Sequence, residues 1–265
     1  MTEARWNALI LAAGRGPGDP MAKAYGVVNK CVIPVAGVPM LARVAKALKD
    51  SGQCATILVS IEDRAIAVGA LGEKIATIAP AASAPASVIA AVKSGAPAFP
   101  VLVTTGDHAL LTPDMVRYFC QSAEQSGADF TVGLAAAGTI LAAYPQSVRT
   151  FFRLGTTRVS GCNLFALRNG KALKLLDRWQ YLEPVRKKPW RLVAAFGILP
   201  LLRYLTGRLE LDDALAILSE KFGIKAGAVL MPFAEAAIDV DKPADKNLAE
   251  EILKARGSGI GPKSA

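Results

Sequence analysis

A chain of 265 residues, 52% apolar and 20% charged, can bury most of its apolar surface without a disulfide or zinc staple, and is too rich in Val, Ile, Leu and Phe to be disordered. Its four cysteines, Cys31, Cys54, Cys120 and Cys162, are widely spaced and lack a CxxC pair, so they read as free thiols of a reducing compartment. The formal net charge of +9 favours anionic partners (nucleotides, phosphorylated metabolites, nucleic acid or an anionic membrane surface) without choosing among them.

The first element is the apolar run Ala8 to Ala13, which ends at the glycine-rich break GRGPG: a buried strand followed by a loop. Val35 to Pro39 predicts a turn, and Met40 to Lys49 a helix with Leu41, Val44, Ala45 and Leu48 at helical spacing. Ala55 to Ile61 reads as a strand, Ala65 to Leu71 as a short helix, Ala76 to Ile78 as a brief strand, and Ser87 as the start of a helix reaching Lys93. Val101 to Thr105 is a further strand, ending in Gly106-Asp107-His108. Thr112-Pro113 then opens a helix with an N-cap threonine and a proline at the first position. Phe130 to Leu134 and Ser160 to Leu167 read as strands, and 170–222 as mostly helical with breaks at Pro184, Pro189 and Pro200. Val229 to Phe233 and Ala237 to Val240 are short strand candidates, and Ala244 to Ala255 is a helix before a frayed tail at 256–265. Strands alternating with helices predict an α/β fold, a mostly parallel sheet covered on both faces. The expected division is one domain over 1–255 with a helical insertion at 170–222. No run of about 18 apolar residues marks a spanning helix, and the first residues do not read as a signal peptide. A cytoplasmic protein is therefore expected.

Chemistry is expected where open parallel sheets bind ligands, at the C-terminal ends of strands. The first such place is Leu11-Ala12-Ala13-Gly14-Arg15-Gly16, continuing to Lys30. Small residues there let backbone N–H groups approach phosphates, which Arg15 and Lys30 can neutralise; a purely structural turn is the alternative. The second is Gly106-Asp107, where a carboxylate stands just past a strand end and could simply cap a turn. The third is Asp239-Val240-Asp241, whose carboxylates would share a strand face; Asp245 is read as helping to start the last helix. The fourth is the Ala/Pro/Ser segment 79–88. Ser83 and Ser87 could donate or accept hydrogen bonds there, or Ser87 could act only as an N-cap. His108, the single histidine, suits packing or capping better than acid–base work.

Taken together, LAAGRGPGDPMAKAYGVVNKCVIPVAGVPML resembles the opening signature of the sugar-nucleotide and MobA-like nucleotidyltransferases: LAAG-x-G, a spacer, Pro-Lys, then hydrophobic-Pro-Val-x-Gly-x-Pro-Met-Leu. Lys30, Pro34, Val35, Gly37, Pro39, Met40 and Leu41 match in order. Two departures stand out: Gly18-Asp19-Pro20-Met21 replaces the usual arginine-methionine, and Asn29 replaces the proline before the lysine. They predict a mobile loop from Pro17 to Asn29. The resemblance implies a Rossmann-like three-layer α/β/α, GT-A-like fold. It also implies transfer of a nucleotidyl group from an NTP to a small anionic phosphorylated acceptor, with Mg²⁺ held by Asp107 and Asp241 and Asp239 as fallback ligand. Leu11, Ala12, Ala13, Gly14, Gly16, Ser83, Ser87 and Gly106 would line the nucleotide. Arg149, Arg153, Gly161 and Asn163 would face the acceptor. CTP is the favoured nucleotide and phosphoglycerate one candidate acceptor, with guanylyl or uridylyl transfer to a cofactor precursor or sugar phosphate, or a non-catalytic nucleotide-binding module, as alternatives, while nucleic acid is not an expected partner. Trp190, Phe196, Leu199, Leu202 and Tyr204 are read as core of the insertion, with a dimer contact or peripheral membrane contact as alternatives.

Overall fold

The computed structural model describes residues 6–14, 16–182 and 188–257. Strand β1 (Trp6–Leu11) leads through α1 (Pro20–Ala24) and a small hairpin, β2 (Pro34–Val35) and β3 (Val38–Pro39), into α2 (Met40–Asp50). Alternation continues through β4 (Cys54–Ser60), α3 (Arg64–Leu71), β5 (Ala76–Ile78), α4 (Ala84–Lys93), β6 (Val101–Thr105) and α5 (Pro113–Ser126). Then come β7 (Phe130–Ala136), α6 (Ala137–Ala143), β8 (Phe152–Leu154) and β9 (Thr157–Leu167). Helices α7 (Leu173–Leu182), α8 (Pro189–Ala194), α9 (Ile198–Leu205) and α10 (Leu211–Phe222) follow, and β10 (Ala226–Leu230) and α11 (Pro243–Gly257) close the described chain.

The sheet runs β10-β7-β9-β6-β1-β4-β5, with β8 paired to β9. It is mostly parallel, as expected, but β9 runs against both β6 and β7. The cause is local: β9 follows β8 through the tight turn at Gly155 (φ 60°), not through a crossover helix, and a short connection forces an antiparallel partner. Both faces of the sheet are covered, which is why β1 reads as a continuous apolar run and not an alternating one. Ala8 and Ile10 pack with Leu41, Leu48, Met115 and Phe119 of α2 and α5, while Leu9 packs on the other face with Val88 of α4 and Leu175 of α7. Cys31, Cys120 and Cys162 are buried free thiols whose pKa values are raised by burial, so they pack as small apolar groups.

Several boundaries differ from the sequence expectation. Helix α4 begins at Ala84, because Ser83, not Ser87, caps it: the Ser83 hydroxyl accepts from the Ala86 N–H at 3.2 Å. The loop predicted to be mobile carries α1, capped by Asp19, whose carboxylate accepts from Met21 N at 2.8 Å and Ala22 N at 3.1 Å. The strand expected at Val229 to Phe233 starts earlier, at Ala226. Residues 237–240 are not a strand, since a single 3₁₀ turn at Ala234–Ala237 turns the chain away from the sheet.

Candidate functional site

Asp107 directly follows β6, and its main chain reaches across to the irregular segment before α11: the Val240 N–H donates to the Asp107 carbonyl at 3.2 Å. That bond brings the two distant acidic motifs together. Oxygen atoms of Asp107, Asp239 and Asp241 lie within 4.8 Å of one another. Asp239 and Asp241 therefore meet, but not by alternating along a strand. Asp245 shapes the turn, its carboxylate accepting from the N–H groups of Asp241 (3.2 Å) and Lys242 (3.1 Å), as an acidic residue in the first turn of a helix can.

Like charges this close repel by roughly 3 kcal/mol per pair at an effective dielectric near 20, so the cluster needs cations. Lys30, presented by the 3₁₀ turn at Lys30–Val32, ion-pairs with both Asp107 and, at 2.7 Å, Asp241. Burial disfavours its charge, but Asp107 and Asp241 more than offset this and hold its pKa above the ordinary lysine value. On the other side Arg149 donates to Asp239 Oδ1 at 2.6 Å and to Asp245 Oδ1 at 3.3 Å. Asn163 adds a donor to Asp239 Oδ2 at 3.2 Å. Asn163 sits in a bulge, where the β7–β9 register jumps from Val132↔Phe165 to Leu134↔Gly161, and its φ of +50° suits a short polar side chain. Among these side chains four carboxylates face two cations. Burial, then Asp107 and Asp241, push the Asp239 pKa up to about 6 against the pull of Arg149. Asp107 Oδ1 is buried with no hydrogen-bond partner among the described residues. Oxygen donors, excess negative charge and an orphaned carboxylate oxygen together fit a hard divalent cation.

The glycine loop stands beside this pocket. Gly106 donates to the Leu11 carbonyl at 2.8 Å, tying the ends of β1 and β6 together. A Cβ on Gly106 would come 3.0 Å from both Ala12 Cβ and Cys31 Sγ, so glycine is needed for that approach. Asn29 is fully buried and bridges the loop: its amide donates to the Ala12 carbonyl at 2.7 Å and to Glu62 at 2.9 Å, and its oxygen accepts from Cys31 N at 2.8 Å. Proline could make none of these side-chain bonds, so the departure from the family motif is a working substitution. Glu62 also accepts from the Gly14 N–H at 3.0 Å. Sequence reading misses Glu62; its partner lies 48 residues away, and nothing in its neighbourhood signals the contact.

Other expected residues take roles different from those read in the sequence, or are not described. Arg15 lies outside the described residues. Ser87 is buried, donating to the Ser83 carbonyl and accepting from Ala81 N, both at 2.9 Å. These bonds shape the 79–88 segment and leave little of that hydroxyl for a base. Arg149, expected at the acceptor, is instead buried against Asp239 and Asp245. Arg153 on β8 is exposed and lies against Gly207, and a Cβ on Gly161 would meet open space. His108 is fully buried, and burial pushes its pKa down to about 4 despite Asp107, which fits packing and not proton transfer at neutral pH.

Residues 8–186 match the MobA-like NTP transferase domain, and the chain belongs to that family of nucleotidyltransferases. A hypothetical transferase from Thermus thermophilus is similar in structure, with 28% identity, a TM-score of 0.77, and coverage of 91% of this chain and 99% of that one. The fold is shared with CMP:2-keto-3-deoxy-manno-octonic acid synthetase solved with CTP (14% identity, TM-score 0.58, 95% and 99% covered). It is shared too with 2-C-methyl-D-erythritol 4-phosphate cytidylyltransferase from Thermus thermophilus (17% identity, TM-score 0.53, 94% and 99% covered). No curated protein matches. No helix among the described residues is long and apolar enough to cross a membrane.

Proposed function

We propose that this nucleotidyltransferase moves CMP from CTP to a small phosphorylated acceptor in a Mg²⁺-dependent reaction, with 1–255 acting as one catalytic domain. The observation that carries the proposal is the convergence of Asp107, Asp239 and Asp241 around Lys30 at the C-terminal end of β6. Asp107 and Asp241 would hold the metal with Asp239, and the bound ion would neutralise triphosphate charge. An acceptor phosphate oxygen attacks the α-phosphorus; the bond from that phosphorus to the bridging oxygen breaks, and pyrophosphate leaves with the electron pair. Neither a covalent enzyme intermediate nor an enzyme base is required, because the attacking phosphate oxygen is already anionic.

The loop from Ala13 to Gly16 would receive the phosphates, with the Gly14 N–H released from Glu62 and Arg15 adding positive charge. Lys30, relieved of part of its carboxylate company when the acidic pocket is neutralised, turns its ammonium to phosphate oxygens. Arg149 and Asn163 hold Asp239 in position. Arg153 and the open surface at Gly161 face the acceptor, where arginine suits a phosphate or carboxylate; phosphoglycerate, giving CDP-glycerate, is one such acid. CTP is favoured by a fold shared with two enzymes whose names specify cytidylyl chemistry. Pyrophosphate release from each of CTP, GTP, UTP, dTTP and ATP, with 3-phosphoglycerate and a panel of sugar phosphates, tests this reading. Turnover with CTP and a phosphorylated acid is expected. Turnover confined to GTP or UTP would transfer the same pocket to a guanylyl- or uridylyltransferase.

A further inference from the structure

We propose that α8 and α9 form a docking surface for an anionic membrane. Trp190, Ile198, Leu199, Leu202 and Leu205 are all large apolar residues left exposed, with Ile198 77% and Leu199 66% accessible. On α9, positions 198, 202 and 205 fall along one helical stripe with 199 at its edge. The opposite side of the pair is anchored: Tyr204 and Val193 pack with Leu154, Val159 and Leu209, and Phe196 meets Phe222 edge-on at 6.2 Å. The stripe thus faces outward because the inner face is already spoken for.

Charge selects the occupant. Among the described residues, 188–209 contain Lys188, Arg191, Arg203 and Arg208 and no Asp or Glu, and Lys188, Arg191 and Arg208 are exposed. The Arg191 guanidinium lies 5.1 Å from the centre of the Trp190 ring, pairing a cation with an aromatic side chain suited to the interface. On the side of α9 away from the stripe, Arg203 is paired with Asp213 of α10 and Tyr204 is packed inward. A second copy of this chain would bring the same cations onto themselves. An anionic lipid surface accepts both the apolar stripe and the cationic border.

The test is co-sedimentation of the full chain with vesicles of phosphatidylcholine mixed with phosphatidylglycerol, against phosphatidylcholine alone. The double variant Leu199→Glu/Leu202→Glu is run alongside, with thermal unfolding to confirm that it is folded. Wild type should pellet with the anionic vesicles and lose about tenfold or more of its binding in the variant, on neutral lipid, or at raised salt. Absence of binding to anionic vesicles, or equal binding by the variant, overturns the proposal. So does a wild-type dimer in gel filtration that the variant dissociates, which would give this face to a second copy.

Discussion

The acidic pocket and the glycine loop lie side by side and solve opposite problems. The pocket gathers negative charge and answers it with Lys30 and Arg149; the loop offers backbone donors and answers them with Glu62. On the proposed reading, Lys30 sits where a metal ion would bind and Glu62 where a phosphate would. The difference is depth. The Lys30 side chain is 7% exposed, so removing it strands buried carboxylates, whereas Glu62 is exposed and its bonds compete with water. Changes in the pocket should therefore cost far more than changes at the loop.

The largest effect is expected from Asp107→Asn, which keeps the shape but removes a proposed metal ligand: turnover should fall about 10³-fold or more with the fold intact by circular dichroism. Lys30→Met comes next. It should lower kcat by roughly 10²-fold and, in metal-free buffer, destabilise the protein by about 3–5 kcal/mol, because the carboxylates lose their buried partner. Millimolar Mg²⁺ should recover more stability in this variant than in wild type, as thermal melts would reveal; a melt unaltered by Lys30→Met would mean that the ion pairs contribute nothing.

Asp239 behaves differently again. Its folded pKa, about 6, lies above the ordinary 3.8. The folded state therefore binds more protons than the unfolded chain between those values, so stability falls as the pH rises from 3.8 to about 6 and the full cost of the ionised group stands above that. Asp239→Asn should stabilise the metal-free protein at pH 7.5 by up to roughly 3 kcal/mol, with the gain shrinking as pH falls from 6 to 4. Urea unfolding across that range reads the sign directly, and a variant less stable at every pH would reverse it. The smallest change is expected at the loop, where Glu62→Gln should lower the KM for nucleotide by a few-fold, about 1 kcal/mol or less, with kcat little altered. An effect as large as that of Lys30→Met would erase the contrast between the two regions.

How much of this is legible in the sequence depends on distance along the chain. The strands around Gly14 and Asp107 are readable because fully buried parallel strands are apolar throughout and end in glycine. Lys30, Asp107 and Asp241 can be named because each sits in a spaced motif. That Lys30 bonds both carboxylates, one of them 211 residues away, is a tertiary fact with no local trace. Charge alone points Arg149 at the acceptor, and charge does not distinguish a substrate carboxylate from Asp239 or Asp245. The alternating pattern of Asp239 and Asp241 suggests a strand, yet the bond from Val240 to Asp107 and the Asp245 cap hold them together without one. The apolar residues of α9 read as core because hydrophobicity alone does not say which face of a helix finds a neighbour.

The most direct test of the acidic pocket is Mn²⁺ binding, followed by its paramagnetic resonance signal, to wild type and Asp107→Asn with and without CTP. Wild type should bind Mn²⁺ weakly alone, since Lys30 occupies the carboxylates, and about tenfold or more tightly with CTP, while Asp107→Asn should lose both. Identical Mn²⁺ binding by the two proteins would contradict the assignment of this pocket.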